Sequence, residues 1–156
     1  MYASSVRGIN SLEKVKLVKK GACEVQRLVE ELRKSPDAFE CGAITCFIGI
    51  VRGHGKKGGS VRKLVYEAWE EEALKALTGI REEILRENSG VKDLLLYHVI
   101  DELEPGDETL FIVAMGEHRQ DAVNAISQAI EKIKTKPPIW KKEVTDRGAY
   151  WIHETG

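Results

Sequence analysis

The sequence predicts an α+β fold, and three observations lead there. Three amphipathic helical patterns lie well apart along the chain, short strand-like runs stand next to one another between them, and no segment repeats. A doubly wound parallel sheet would instead alternate strand and helix throughout.

The 156 residues suffice for one domain with a real core. That domain is expected over 13–156, after a disordered N-terminal end at 1–12 that lacks periodicity. Apolar and basic residues alternate over 14–18, as a half-buried strand requires. Val25, Leu28, Val29 and Leu32 then recur at helical spacing, and Ser35-Pro36-Asp37 ends the run. An apolar, β-rich stretch over 43–52 leads into Gly53-His54-Gly55-Lys56-Lys57-Gly58-Gly59, after which 61–66 reads as a strand, so the glycine loop joins two strands.

Ala73, Leu77, Ile80 and Ile84 mark a helix over 69–88 that Gly90 is placed to end. Runs at 94–100 and 109–115 flank the turn signal Glu104-Pro105-Gly106-Asp107 and are expected to pair. In the last helix Val123, Ile126, Ile130 and Ile133 share a face, and Pro137-Pro138 stops it because neither proline can donate a helical hydrogen bond. Short strands at 139–144 and 150–153 surround the turn Asp146-Arg147-Gly148.

Composition narrows the function classes. Hydrophobic residues make up 42% and charged residues 31%, with 24 Lys and Arg against 25 Asp and Glu, which excludes disorder and argues against a surface built for nucleic acid. No apolar stretch reaches the roughly 18 residues of a membrane span, and no secretory apolar region opens the chain, so a cytoplasmic protein with no membrane partner is expected. The odd cysteine count points to reduced thiols at Cys23, Cys41 and Cys46, with Cys46 expected in the core. No Cys-x-x-Cys or His-x-x-x-His spacing occurs, so neither a metal nor a resident cofactor is expected. The glycine loop lacks the Gly-Lys-Ser/Thr ending and leads into a strand, so it is not a P-loop; its His54, Lys56 and Lys57 either close over an anion or form a solvated loop.

Charge is unevenly spread. Seven acidic residues against three basic ones occupy 67–87, whereas 118–142 holds Arg119, Lys132, Lys134, Lys136, Lys141 and Lys142 against Asp121 and Glu131. Lys134 falls in the last helical turn, where a cation suits the dipole. Pro137 is expected to push Lys136 out of helical conformation and fix an elbow before Trp140 and Lys141. On the following strand Ile139, Lys141 and Glu143 share one face and Trp140, Lys142 and Val144 the other, so only one of the two adjacent lysines can face a site. His118 and Arg119 stand between a strand and a helix, where Arg can grip a phosphate or carboxylate and His can shuttle a proton. These residues by themselves indicate an anion site, with a surface charge cluster as the alternative.

Gly42-Ala43, Phe47-Ile48-Gly49-Ile50-Val51-Arg52, Tyr66-Glu67-Ala68, Pro105-Gly106-Asp107-Glu108, His118-Arg119, and Lys134 with Pro138-Ile139-Trp140-Lys141-Lys142-Glu143 occur in an order and spacing that resembles the large-subunit family of molybdopterin synthases, MoaE-like proteins. The resemblance runs from about residue 42 to residue 151, and the Pro-Ile-Trp-Lys-Lys-Glu run is its most specific part. It implies an α/β hammerhead-type fold, a homodimer, and a small ubiquitin-like sulfur-carrier subunit on each protomer of a heterotetramer. It also implies that two sulfurs pass from carrier C-terminal thiocarboxylates to cyclic pyranopterin monophosphate, which opens the cyclic phosphate and makes the molybdopterin dithiolene. The sulfur nucleophile then arrives on the partner, and no cysteine motif is needed.

Carried over position by position, the family's site falls on Arg52, His118, Arg119, Lys134 and Lys141. On these positions Arg52, His118 and Arg119 are expected to bind the phosphate and its developing charge, Lys134 to sit by the carrier's terminal carbonyl, and Lys141 to activate or protonate the pterin-side leaving group. The chain departs from the family pattern at Val99 and Asp101 after His98, and at Trp69 and Glu72 after Glu67-Ala68. A non-catalytic carrier-binding scaffold and a small anion-binding α+β module are the competing classes.

Overall fold

The structure, a computed structural model, describes residues 12–153. In chain order the elements are β1 (Val15–Val18), α1 (Val25–Arg33), a 3-10 turn (Pro36–Glu40), β2 (Ala43–Ile50), β3 (Val61–Ala68), α2 (Glu70–Glu87), β4 (Val91–Val99), β5 (Glu102–Leu103), β6 (Glu108–Gly116), α3 (Arg119–Thr135), β7 (Ile139–Thr145) and β8 (Gly148–Ile152). They form the α+β architecture with two four-stranded sheets, ordered β1-β4-β6-β2 and β5-β3-β7-β8. Only β1 and β4 pair in parallel; the other pairings are antiparallel.

β4 is buried at almost every position because both of its faces are covered. Leu94 and Leu96 point to α2 and α3, where they meet Leu77, Ile80, Ile84, Ala125 and Ala129. Leu95, Tyr97 and Val99 point the other way, to Leu28 and Leu32 of α1 and to Leu64 and Leu103 of the second sheet. Removing such a side chain from water is worth about 1.5–3 kcal/mol, and truncating fully buried Leu77 to Ala is expected to cost about 2–5 kcal/mol.

The stripe that seats α3 is built from alanine more than from its large residues. Ala122, Ala125 and Ala129 have no exposed surface, whereas Val123 is 49% exposed, against the expectation that it belongs to the buried face. The cause is close approach: a Cβ added at Gly116 in β6 would meet the backbone nitrogen of Ala122 at 3.0 Å. Only methyl-sized side chains fit such a gap, and a pattern weighted by hydrophobicity ranks valine above alanine there.

Three further expectations are corrected. Lys136 keeps a right-handed helical conformation (φ −87°, ψ −48°) and its N–H reaches Lys132 O at 3.0 Å. The elbow therefore lies one residue later, at Pro137-Pro138, where the N–H of Ile139 turns back to Pro137 O at 2.8 Å. Gly90 does not end α2; the Asn88 side chain does, donating to Ile84 O at 2.8 Å, and Gly90 is required because a Cβ would stand 2.5 Å from the Asp121 carboxylate. Cys46 is exposed, since β2 is an edge strand whose even-numbered side chains from Cys46 onward face away from the helices and are left open. The expected disordered end lies outside the described residues except for Leu12, whose N–H bonds Glu31 at 3.3 Å.

Candidate active site

A cavity of about 430 Å³ opens where the C-terminal end of α3 meets the second sheet. Lys134 enters it from the last turn of α3, and Lys141 enters it from β7 on the far side of the proline elbow. The first sheet supplies Phe47 and Gly49 of β2 and Leu110 of β6, and His98 of β4 completes that wall. Lys141 is flanked in register by Tyr66 of β3 and Ile152 of β8, and all three line the cavity.

An adjoining space of about 140 Å³ shares Tyr66, Thr109, Lys141 and Ile152 with the first and adds Arg52, His54, Lys56 and Glu143. Lys141 thus stands at the junction of two compartments, one shared with Lys134 and one shared with Arg52. Gly49 makes the junction possible, because a Cβ there would lie 2.5 Å from Thr109 Oγ1, and the β2–β6 register shifts at the next residue.

The basic run from residue 118 to residue 142 does not form one patch. Lys132 and Lys136 turn to α2, where both reach Glu83, at 2.9 and 3.1 Å, and hold its carboxyl below the usual range. Lys134 lies between them in sequence and faces the cavity, with a long 4.0 Å approach to Glu131. Lys142 is on the opposite face of β7 from Lys141, with its ammonium 5.8 Å from the centre of the Trp151 ring.

His118 and Arg119 are placed elsewhere. His118 caps α3, its N–H bonded to the Asp121 carboxylate at 3.0 Å, and both side chains are exposed. Fifteen residues of helix separate Arg119 from Lys134, a rise of roughly 22 Å. Within one chain the structure brings together Arg52, Lys134 and Lys141 and leaves His118 and Arg119 at the other end of the rod.

Sequence reasoning left out His98 and Glu143 as site residues. His98 is 6% exposed, its Nδ1 lies 2.9 Å from Val99 O, and its ring meets Tyr66 edge-on at 5.0 Å. Burial pushes its pKa down to about 4, with the Lys141 charge acting the same way and the Val99 carbonyl opposing. A polar residue inside the apolar run 94–100 was the available signal. Glu143 is 7% exposed and was already placed on the Lys141 face by strand alternation. Among the described residues no group of three or more His, Cys, Asp or Glu side chains is placed to hold a metal ion, and no described helix is long and apolar enough to cross a membrane.

Comparison with known proteins adds three findings. A family model described as MoaE protein matches residues 18–136, a segment that contains Arg52, His118, Arg119 and Lys134 and stops before Lys141. The molybdopterin synthase catalytic subunit of Pyrococcus abyssi is 38% identical over 124 residues, 80% of this chain and 82% of that one, and that of Bacillus subtilis is 38% identical over 123 residues, 79% and 77%. Among solved structures, molybdopterin synthase from Staphylococcus aureus has a TM-score of 0.81 at 31% identity, covering 92% of this chain and 99% of that one.

Proposed function

The chain belongs to the MoaE protein family, and on that premise we propose that it is the catalytic subunit of a molybdopterin synthase, working in the cytoplasm, where its three free cysteines stay reduced. It moves two sulfurs, one from the C-terminal thiocarboxylate of each of two small ubiquitin-like carriers, to cyclic pyranopterin monophosphate, opening the cyclic phosphate and forming the dithiolene, and each carrier leaves with a C-terminal carboxylate. The observation that carries this reading is the position of Lys141 between two compartments, one holding Lys134 and the other Arg52.

That geometry supports a division of roles. The larger cavity, with apolar walls at Phe47, Leu110 and Ile139, takes the carrier tail, and Lys134 stands by its terminal carbonyl to stabilise charge that develops on oxygen. The smaller compartment, with Arg52, His54 and Lys56, takes the phosphate. Lys141 touches both and is the group positioned to protonate the pterin-side leaving oxygen.

His118 and Arg119 join the site from a second copy of the chain. β2 begins beside the α3 N-terminus, where Ala43 pairs with Gly116, and ends beside the smaller compartment at Ile50. A twofold axis across the middle of β2 would therefore carry the partner's His118 corner over to Arg52. The exposed Ile48 and Ile50 on this edge strand support such an interface.

The deciding experiment mixes the protein with a thiocarboxylated carrier of proven competence and cyclic pyranopterin monophosphate and assays for dithiolene. Product formation is the expected result. Carrier binding without product would instead mark a scaffold.

A further inference from the structure

Four of the seven residues 53–59 are glycine, a composition that leaves a backbone with many accessible states. Yet the loop is fastened at its centre to the β7–β8 hairpin. Glu143 Oε1 accepts the backbone N–H of Lys56 at 2.8 Å and the hydroxyl of Tyr150. The Tyr150 oxygen in turn accepts the backbone N–H of Lys57 at 3.1 Å, and the Lys57 ammonium lies 4.7 Å from the centre of the same ring. Gly55 is pressed against this cluster, since a Cβ there would stand 2.9 Å from Glu143 Oε1.

The side chains of the fastening come from the sheet, while the loop supplies backbone N–H groups and closes on itself through Gly55 N–H to Gly59 O at 2.9 Å and Gly58 N–H to Gly55 O at 3.0 Å. Glu143 and Tyr150 are register partners across β7 and β8, and Glu143 follows Lys141 by two residues on the same strand face. The bond to Glu143 also pushes the Tyr150 phenol above its ordinary pKa, so it keeps the proton it donates. Neither side chain has a role in the reaction steps above.

We propose that Tyr150 and Glu143 are positioning residues that latch the glycine loop onto the smaller compartment, so that the wall carrying His54 and Lys56 is in place before the cyclic phosphate arrives. The proposal rests on the function assigned above, because it takes that compartment as the phosphate end of the site. A loop ordered in advance does not have to be ordered by the ligand, so the latch acts on binding more than on the chemical step.

The test is Tyr150→Phe, which removes the hydroxyl and leaves the ring under Lys57. Amide hydrogen exchange at Lys56 and Lys57 is expected to quicken about tenfold, with the β4 and β6 amides unchanged. The KM for cyclic pyranopterin monophosphate is expected to rise about three- to tenfold with kcat within about twofold. Glu143→Gln, which keeps an acceptor oxygen, should show the smaller effect on exchange. Unchanged exchange at Lys56 and Lys57, or exchange that quickens equally everywhere, overturns the latch; faster local exchange with KM unmoved overturns its positioning role. If the wild type makes no dithiolene, the assigned reaction falls, and the latch is still decided by exchange and by titration with inorganic phosphate, whose binding Tyr150→Phe should weaken.

Discussion

Lys141 and Lys142 are neighbours in sequence and stand on opposite faces of β7: Lys141 lines both compartments of the site, and Lys142 lies over the Trp151 ring at 5.8 Å. A strand turns adjacent side chains to opposite sides, and the two cations consequently meet different surroundings. Lys141→Ala is expected to lower kcat by about 100-fold or more, the scale of a lost proton donor, and Lys142→Ala to leave it within about threefold. Steady-state dithiolene formation checks this, and the reverse ranking would reject the assignment of Lys141.

The proposal that two copies share each site makes a specific demand on mixtures. Lys141→Ala and Arg119→Ala are each expected to be inactive as pure dimers. Refolded together at equal amounts, half of the dimers are mixed, and each mixed dimer holds one intact site of two. About a quarter of wild-type activity should return. No recovery after subunit exchange has been demonstrated would mean that Arg119 does not act across the interface.

His98 predicts an acid-dependent loss of stability. Its folded pKa is about 4 and its unfolded value about 6.5, so between these the unfolded chain binds the extra proton. The neutral ring's contribution is complete above about pH 6.5 and is lost as pH falls towards 4, a difference of roughly 3 kcal/mol. His98→Phe keeps a ring beside Tyr66 and removes the titration. Urea unfolding of the two proteins at pH 7 and pH 4 should show the wild type losing the larger amount, with carboxylates common to both cancelling.

Asp93 is 5% exposed and accepts from Lys14 Nζ and Arg81 Nη2, each at 2.7 Å, and from the Leu94 N–H at 2.8 Å. Burial would raise its pKa, and these three bonds together bring it below the usual value instead. Asp93→Ala strands the Arg81 guanidinium, whose side chain is 19% exposed, and is expected to cost about 3–5 kcal/mol. Replacing both members of the Asp93–Arg81 pair, Asp93→Leu with Arg81→Leu, should recover much of the loss in the same denaturation assay, since Lys14, 42% exposed, can turn to water.

The order of helices and strands was legible because each carries its own period, and the β4–β6 pairing was legible because the two runs flank a turn signal, although the chain between them also lends β5 to the other sheet. Which sheet a strand enters was not: the runs on either side of the glycine loop look alike, yet β2 and β3 belong to different sheets. Periodicity shows that a residue has a face without showing what covers it, and this explains the misplacement of Cys46 and Val123. The basic run misled for a related reason. Glu83, on a distant helix, draws Lys132 and Lys136 away from the cavity, and that pairing has no local signature. The Lys141 face was legible since it needs only the alternation of one strand. The distance between His118 and Lys134 was also written in the chain, as fifteen or more residues of unbroken helix, and needed only to be converted into length.

The alanine seat of α3 turns that helix into a ruler with a fixed phase. Because Ala122 stands against Gly116 with no room for a further methyl, and Ala125 and Ala129 are fully buried, rolling or sliding the rod to absorb a change in its own length would cost packing. One residue inserted between Ala129 and Lys134 would advance the lysine by about 1.5 Å and swing it by about 100°. Its ammonium would leave the cavity without any chemical group having been deleted. Along this segment the chain is expected to accept substitutions on the outer surface far more readily than any gain or loss of a single residue.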